Sequence, residues 1–329
     1  MKISPNRQRT AAGIGIAALL VAAIPTASAA VASPAQRHRG LDTLVTFAEA
    51  DEHPESVAVG QDGTVHVALH AATRLWHRRP NGTTLVTTLP RSPQPDAVTR
   101  ANGIAVAPNG VVATAVLSTD PTLAGVWEGK PGGTFRRVAV LPVTASPNGL
   151  SRDDDGNLYI ADDALGLIWR VPAGRPAAAD RAEKWLRHPL LDRKPGGTPY
   201  GANGTEIHGG ELWISNPSQT LLVTIPITRD GSPGQPEVRQ HGPLFADVDD
   251  FDIARDGTLL VARIGAQTIE RVRPDGTTTV LATAADGLSQ PTAVAIDARH
   301  HTLYITNAAF YRPAGAAPAS VQSQSLPRR

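Results

Sequence analysis

Short alternating runs of apolar residues recur along this chain, each beginning near a polar side chain and ending at a tight turn. In the stretch 146–163 the polar residue is Asn148, the turn is Asp155-Gly156, and a second apolar run begins at Leu158. Asp-Gly between two such runs is a strong hairpin signal, because both residues tolerate positive φ. The pattern therefore predicts a repeated β-hairpin.

The polar position recurs at intervals of 47, 46, 55, 46 and 43 residues. A period of roughly 40–50 residues is typical of propeller blades, which are small sheets that cannot bury their faces without neighbours. We therefore predict an all-β fold, a six-bladed β-propeller with four-stranded blades over residues 42–311. The six polar positions are Glu55, Asn102, Asn148, Asn203, Asp249 and Thr292.

Segments near both ends of the chain resemble strands of one shared blade. Residues 42–48 look like the outermost strands of later repeats, such as 84–89 and 279–283, but have no blade of their own. We expect them to join the last blade and close the ring, which removes a free sheet edge. In the tail 312–329, residues 319–326 are a candidate third strand for that blade.

Two further expectations concern the third strands and the longest interval between repeats. Third strands contain Trp76, Trp127 and Trp169 at similar offsets, and such large rings are expected to pack between blades. The longest interval contains a Pro- and Gly-rich insertion at 187–202. Two interpretations of this insertion stay open, a lid over the top face and a plain surface loop.

The N-terminal segment indicates export. Three basic residues lie within the first nine, residues 11–24 carry no charge, and Ala27-Ser28-Ala29 follows, an order typical of a signal peptide spanning 1–29. The alternative is a buried N-terminal helix. Residues 30–41 are rich in Ala, Pro and Arg and are expected to be disordered. We expect a secreted, extracellular protein.

Charge and cysteine content narrow the class of protein. Removing 1–29 takes three positive charges from the formal +1 and leaves −2, which gives no support for nucleic-acid binding. The chain has no cysteine, so its stability depends on core burial and on any bound ions. We expect a monomer that takes a small-molecule substrate and binds neither nucleic acid nor membrane.

The recurring polar position predicts a metal site. In a propeller the first strands line the central channel, so residues at their starts converge on one mouth. Carboxylates and carboxamides gathered there are costly to bury unpaired, and a hard divalent cation removes that cost. Calcium is the first choice, with another divalent cation open. Predicted ligands are Glu55, Asn148, Asn203, Asp249 and Asp250. For each Asn-Gly, turn punctuation is the alternative.

The repeats resemble the regucalcin/gluconolactonase family of calcium-dependent propellers, and more distantly the paraoxonases. The resemblance covers residues 43–310 and rests on an ordered set of weak motifs, including His53-Pro54-Glu55, Asn203-Gly204 and Asp249 before Phe251. Regucalcin-like members imply Glu55, Asn148 and Asp249 as metal ligands and Arg100-Ala101-Asn102 as a substrate motif. Paraoxonase-like members imply Asn203 and Asp250 as further ligands.

The resemblance implies hydrolysis of lactones or related esters, with Asp249 as the proton acceptor. Second strands run back to the same mouth, so His70, Asp162 and Asn216 at their ends are expected to border the pocket. His70 is a second candidate base, against the alternative of an exposed loop histidine. Ser118 and Thr119 stand where a paraoxonase-like histidine is expected, which argues against that mechanism.

Two other functions stay open at this stage. One is a non-catalytic propeller that binds a ligand or partner, with a structural ion. The other is a lyase or a strictosidine-synthase-like enzyme, since a fold does not fix a function.

Overall fold

A computed structural model of the chain describes residues 40–174, 182–311 and 316–326. The predicted signal peptide and residues 30–39 lie outside the described residues. The described part is built from antiparallel sheets, with short 3₁₀ helices at Pro189–Leu191, Pro243–Ala246 and Ala284–Asp286. None of its helices has the length and apolar character needed to cross a bilayer.

The described strands form six four-stranded sheets, which confirms the predicted six-bladed β-propeller. Within blades 1 to 5 the strands follow chain order from the channel outward. Blade 1 contains β2 (Pro54–Val59), β3 (Val65–Leu69), β4 (Arg74–Arg78) and β5 (Thr84–Thr88). Blade 2 contains β6 (Thr99–Val106), β7 (Val112–Ser118), β8 (Gly125–Gly129) and β9 (Arg136–Val140). Blade 3 contains β10 (Pro147–Arg152), β11 (Leu158–Asp162), β12 (Leu167–Val171) and β13 (Glu183–Arg187).

The second half of the ring repeats the same order. Blade 4 contains β14 (Thr205–His208), β15 (Glu211–Asn216), β16 (Leu221–Pro226) and β17 (Glu237–His241). Blade 5 contains β18 (Val248–Ile253), β19 (Leu259–Arg263), β20 (Thr268–Val272) and β21 (Thr278–Thr283). Blade 6 contains β22 (Pro291–Asp297), β23 (Thr302–Asn307) and β24 (Ser320–Ser325), and its outermost strand is β1 (Asp42–Thr46).

Both ends of the propeller meet in blade 6, as predicted. Strand β24 pairs antiparallel with β23 on one side and with β1 on the other, where Val45 lies opposite Val321. The N-terminal strand therefore covers an edge that β24 would otherwise leave open. The innermost strands contact their neighbours in a closed ring, β2, β6, β10, β14, β18, β22 and back to β2.

The hydrophobic core consists of six clusters, and each cluster lies between two neighbouring blades. The cluster between blades 2 and 3 includes Trp169, and the one between blades 1 and 2 includes Trp127. Trp76 packs between blades 6 and 1. The prediction that these rings pack between blades is confirmed. A blade thus buries its faces only against its neighbours, which is why the repeat cannot stand alone.

The Asn-Gly pairs join neighbouring blades instead of forming turns. Gly149 N–H donates to Asn203 O at 3.0 Å, and Gly204 N–H donates to Asp249 O at 3.1 Å. A Cβ added to Gly149 would lie 2.5 Å from Asn203 O, a distance too short for any real side chain. Glycine is required here because the next blade's backbone approaches this closely. The alternative of turn punctuation is therefore wrong at these sites.

Candidate active site

Five of the six innermost strands carry one extra residue at the recurring polar position. In blade 3 the pairing steps from Pro147 opposite Asp162 to Leu150 opposite Ile160, so the two residues between them on β10 face one residue on β11. An extra residue of this kind is a β-bulge, which re-aims the side chain and ends the regular alternation of the strand. The same irregularity surrounds Glu55, Asn102, Asp249 and Thr292.

A pocket of about 470 Å³ opens where the innermost strands begin. Four residues of the recurring position line it, namely Glu55, Asn102, Asn203 and Asp249. Thr292 does not, since its hydroxyl is buried and donates to Pro54 O at 2.9 Å. The propeller thus brings together, from four blades, side chains that are far apart in sequence.

Two buried oxygens in this pocket have no hydrogen-bond partner among the described residues. They are Glu55 Oε2 and Asn203 Oδ1, on side chains whose residues are 8% and 3% exposed. The other end of the Asn203 carboxamide is engaged, because Nδ2 donates to Asp249 Oδ1 at 3.1 Å. Buried oxygens are rarely left unpaired, so both point to a missing partner.

The carboxyl groups of the pocket are hard to ionise without a compensating charge. Burial raises the pKa of Glu55 well above its usual value, and the nearby Asp249 and Asp250 raise it further, while Arg100 lowers it. Burial also raises the pKa of Asp249 to about 7 and raises that of Asp163. A bound cation would reverse these shifts, because an opposite charge favours the carboxylate form.

Asn148 and Asp250, two of the five predicted ligands, are not among the side chains that line this pocket. Asn148 is half-buried and does not line the pocket; its carbonyl oxygen instead lies against Gly103 of the preceding blade. Asp250 lines a second cavity, of about 210 Å³, further along the same strands, together with Glu206 and Asp252. Asp249 and Asp250 lie within the bulge of β18, and their side chains line different cavities.

Within the described ranges, no three His, Cys, Asp or Glu side chains are placed to share a metal ion. Any cation in the pocket therefore needs the carboxamide of Asn203 beside the carboxylates of Glu55 and Asp249. Such a set of oxygen donors suits calcium better than zinc.

His70 lines the same pocket and is half-buried, so the alternative of an exposed loop histidine does not hold. Its Nδ1 lies 2.7 Å from Asn102 Oδ1, and Asn102 Nδ2 donates to Pro147 O at 2.6 Å. Because a carbonyl oxygen only accepts, the Asn102 amide has one orientation, and His70 Nδ1 must carry the proton. Nε2 is then the nitrogen with a free lone pair.

The environment keeps His70 neutral at physiological pH. Burial is the main cause that lowers its pKa to about 4, and the positive charge of Arg100 adds to this effect. Arg100 itself is exposed and lies in the pocket wall, and its contact with a substrate stays a prediction. A neutral imidazole beside a guanidinium can accept a proton from a bound molecule.

Asp162 and Asn216 were expected to border the pocket, and the structure places both elsewhere. Each is fully buried and bonded to backbone. Asp162 Oδ1 accepts from the N–H groups of Ser146, Ala164 and Leu165, and its Oδ2 accepts from the Trp169 indole. Asn216 Nδ2 donates to Leu190 O and Asp192 O. Both residues shape loops, and neither lines the pocket.

Sequence reasoning missed several pocket residues. Asp163, next to Asp162, lines the pocket and binds Arg193 Nη2 at 3.0 Å. Arg193 belongs to the insertion 187–202, whose Thr198 and Tyr200 also form pocket wall, so this insertion is more than a plain surface loop. Phe310 and Tyr311 line the pocket from the loop after β23. The position of Asp163 at a second strand's end was a usable signal, whereas the aromatic residues lie in segments without any repeat.

Comparison with solved structures shows which proteins share this architecture. A calcium-binding protein, regucalcin, from Agrobacterium tumefaciens matches with a TM-score of 0.63 at 16% identity, over 88% of this chain and 97% of that one. A gluconolactonase from Xanthomonas campestris matches with a TM-score of 0.61 at 16% identity, over 88% and 91%. The fold is the one that regucalcin and the gluconolactonases have.

The fold also resembles that of a lyase, an enzyme of another class. Virginiamycin B lyase from Staphylococcus aureus matches with a TM-score of 0.54 at 14% identity, over 87% of this chain and 88% of that one. No protein-family model matches the chain. No curated protein matches it either. At these identities the likeness defines the fold, and the chemistry must be argued from the pocket.

Proposed function

We propose that this chain hydrolyses lactones or related esters with a divalent cation, calcium in the first place. The observation that carries the proposal is the pair of buried, unpartnered oxygens on Glu55 and Asn203, in one pocket with Asp249. Coordination to a hard cation satisfies both oxygens and offsets the mutual repulsion of the carboxylates. The shared fold with a calcium-binding regucalcin and a gluconolactonase supports the same choice.

Glu55, Asn203 and Asp249 would hold the cation. When bound, the cation supplies a Lewis acid that polarises the carbonyl oxygen of the substrate. Calcium takes six to eight oxygen ligands, so three protein side chains leave positions for water and substrate. Arg100, on the pocket wall, is placed to attract an electron-rich oxygen of the bound ester.

His70 is the proposed proton acceptor for the attacking water. Its Nε2 carries the lone pair because Asn102 fixes the proton on Nδ1. A pKa of about 4 keeps the imidazole neutral and able to accept at pH 7, although it also makes the base weak. Asp249 is the second candidate, and a carboxylate that binds a cation directly is a weak base too.

The proposal also includes export of the protein and the size of its substrate. The basic, apolar and small-residue order of 1–29 favours export, and a 470 Å³ pocket fits a small-molecule substrate. We keep the prediction of a secreted monomer that binds neither nucleic acid nor membrane.

A lyase is the second candidate function. The likeness to virginiamycin B lyase and the free Nε2 of His70 favour it, because the same nitrogen can take a proton from carbon. In an elimination the base takes a proton from carbon, a C=C bond forms as the C–O bond of the ester breaks, and the carboxylate leaves with no water added. Mass spectrometry separates the two functions, since a hydrolysis product is heavier than a lactone substrate by one water.

The metal assignment is tested with two isosteric variants. Asp249→Asn and Glu55→Gln should lower kcat/KM for a simple lactone by roughly two orders of magnitude, the usual loss when a charge-stabilising group is removed. A chelator should abolish the activity of the unmodified protein, and added calcium should restore it. Asp154→Asn, in an exposed hairpin turn, is the control and should behave as the unmodified protein.

A binding measurement keeps the test independent of catalysis. Calcium at a hundredfold excess over its Kd should stabilise the unmodified protein by about 2.7 kcal/mol and leave Asp249→Asn unaffected. Without calcium, Asp249→Asn should be at least as stable as the unmodified protein, because it removes one of the repelling carboxyl groups. Full activity in chelator, or equal stabilisation of both proteins by calcium, would contradict the proposal.

A further inference from the structure

Three aromatic side chains line the mouth of the candidate active site. Tyr200 comes from the insertion between β13 and β14, and Phe310 and Tyr311 come from the loop after β23. Tyr200 is 49% exposed and Tyr311 is 84% exposed, which is unusual for rings of this size. Exposed aromatic rings beside a pocket are typical of a surface that an apolar group covers when it binds.

These rings lie close to the reactive groups. The Phe310 ring centroid is 5.5 Å from that of His70 in an edge-to-face arrangement, and 5.0 Å from that of His53. Burial raises the pKa of Tyr200, and nearby Asp249, Asp163 and Tyr311 raise it further. A substrate whose carbonyl reaches Asp249 and His70 would therefore have its remaining part against Tyr200, Phe310 and Tyr311.

Several polar side chains of the wall are already bonded to other groups of the protein. Asn102 uses both ends of its carboxamide, on His70 and on Pro147 O. Asp163 is bound to Arg193, and the Ser146 side chain bonds to Asp163. Leu117 and Ile264 add half-buried apolar surface to the wall. Beyond the three proposed ligands and His70, the polar side chains that the wall offers to a sugar lactone are mainly Arg100, His53 and Thr198, and hydroxyls left unpaired are costly to bury.

We infer that the substrate of this pocket is a lactone or ester that carries an aromatic ring, and that polyhydroxylated lactones are poor substrates. The inference rests on the proposed function and adds the chemical class of the substrate. Tyr200, Phe310 and Tyr311 are the residues that determine this specificity. Because Tyr311 is mostly exposed, its removal alters the pocket mouth without opening the core.

The catalytic test compares two lactones of similar ring size, dihydrocoumarin and glucono-1,5-lactone, on the calcium-loaded protein. kcat/KM should be at least about tenfold higher for the aromatic lactone, since an apolar wall discriminates by this order. Tyr311→Ala should lower kcat/KM for dihydrocoumarin by about threefold to tenfold, the value of one aromatic contact, and should lower kcat/KM for δ-valerolactone, which carries no aromatic ring, by a smaller factor. Val86→Ala, an exposed apolar residue on β5, is the control.

A binding test separates this inference from the proposed function. Calorimetry would compare the lactam analogues of dihydrocoumarin and gluconolactone, which resist hydrolysis. Tighter binding of the aromatic lactam, weakened in Tyr311→Ala and Tyr200→Leu, supports the inference even if no lactone is turned over. Equal or tighter binding of the sugar lactam overturns it, and a protein that hydrolyses gluconolactone best overturns it while the hydrolase function stands.

Discussion

Single side chains next to each other have opposite roles in this propeller. Asp162 is fully buried and holds three backbone N–H groups and an indole, whereas Asp163 lines the active-site pocket. Asp162 is the last residue of β11 and Asp163 is the first residue of the turn that follows, so the two side chains have different surroundings. Residue type alone therefore does not separate a structural carboxylate from a functional one.

Two buried histidines away from the active site give stability a dependence on pH. His66 and His77 lie opposite each other on β3 and β4, with their Nδ1 atoms 2.9 Å apart. Burial is the main cause that lowers the pKa of His66 to about 4 and that of His77 to about 3. Asp62, Arg79 and Lys130 line the adjoining cavity.

The unfolded chain binds these two protons near the ordinary histidine pKa of about 6.5, and the folded chain does not. The stability that this pair contributes should therefore fall as pH drops from 7 to 5, by about 1–2 kcal/mol for each imidazole. The buried carboxyl groups of the pocket, whose pKa values are raised, act in the opposite direction, so urea unfolding at both pH values measures the loss as the difference between the unmodified protein and a variant without the pair. The double variant His66→Gln/His77→Gln should lose less, and His241→Gln, an exposed residue, should match the unmodified protein. An identical loss in the double variant would refute the assignment.

At the scale of the element, the innermost strand is where fold and site meet. Its bulge aims a polar side chain away from the regular ladder, and the glycine that follows lets the next blade approach. Gly103, Gly149 and Gly204 all occupy this place, each against the backbone of the following blade. At Asn102 and Asn203 the sequence signal Asn-Gly thus joins a pocket residue to a contact between blades.

Replacing one of these glycines should damage the fold and the site together. In Gly149→Ala the new Cβ meets Asn203 O and Thr205 N, both at 2.5 Å, and neither backbone atom can move freely. The expected cost is about 1–3 kcal/mol of unfolding free energy, or more, as for other overpacked sites. Calcium affinity should fall as well, since Asn203 is displaced. Gly40→Ala, with no atom within 4 Å of the new Cβ, is the control and should change neither quantity.

At the scale of the molecule, stability depends on the ring being closed. The core is divided among six contacts between blades, and the contact of blade 6 with blade 1 includes Phe47 and Trp76, whose ring centroids are 6.2 Å apart. Strand β1 contributes the outer edge of the same blade. Any break at this joint exposes apolar surface and an unpaired edge together.

A chain that begins at Ala48 should therefore unfold at a lower temperature than one that begins at Gly40. It should also self-associate, because β24 would present unpaired N–H and C=O groups to other copies. Calorimetry and size-exclusion chromatography measure the two effects. The same melting temperature and the same elution volume for both chains would show that β1 does not stabilise the ring.

The repeat, the number of blades and the closing strand could all be predicted from the amino-acid sequence. These follow from local signals, the alternation of apolar residues and Asp-Gly turns such as Asp155-Gly156, which act within one hairpin. It also predicted Glu55, Asn203 and Asp249, because residues at one place in a repeat converge when the ring closes. His70 was predicted because second strands end at the same mouth.

Which of the predicted site residues share a pocket became clear only from the folded structure. Asn148 and Asp250 have the right residue type and position, yet neither side chain lines the pocket that contains Glu55, Asn203 and Asp249. Tyr200 and Phe310 come from loops outside the repeat, so no periodicity points to them. The physical reason is that a period fixes where a backbone lies, whereas the direction of a side chain depends on a bulge of one residue and on contacts between blades.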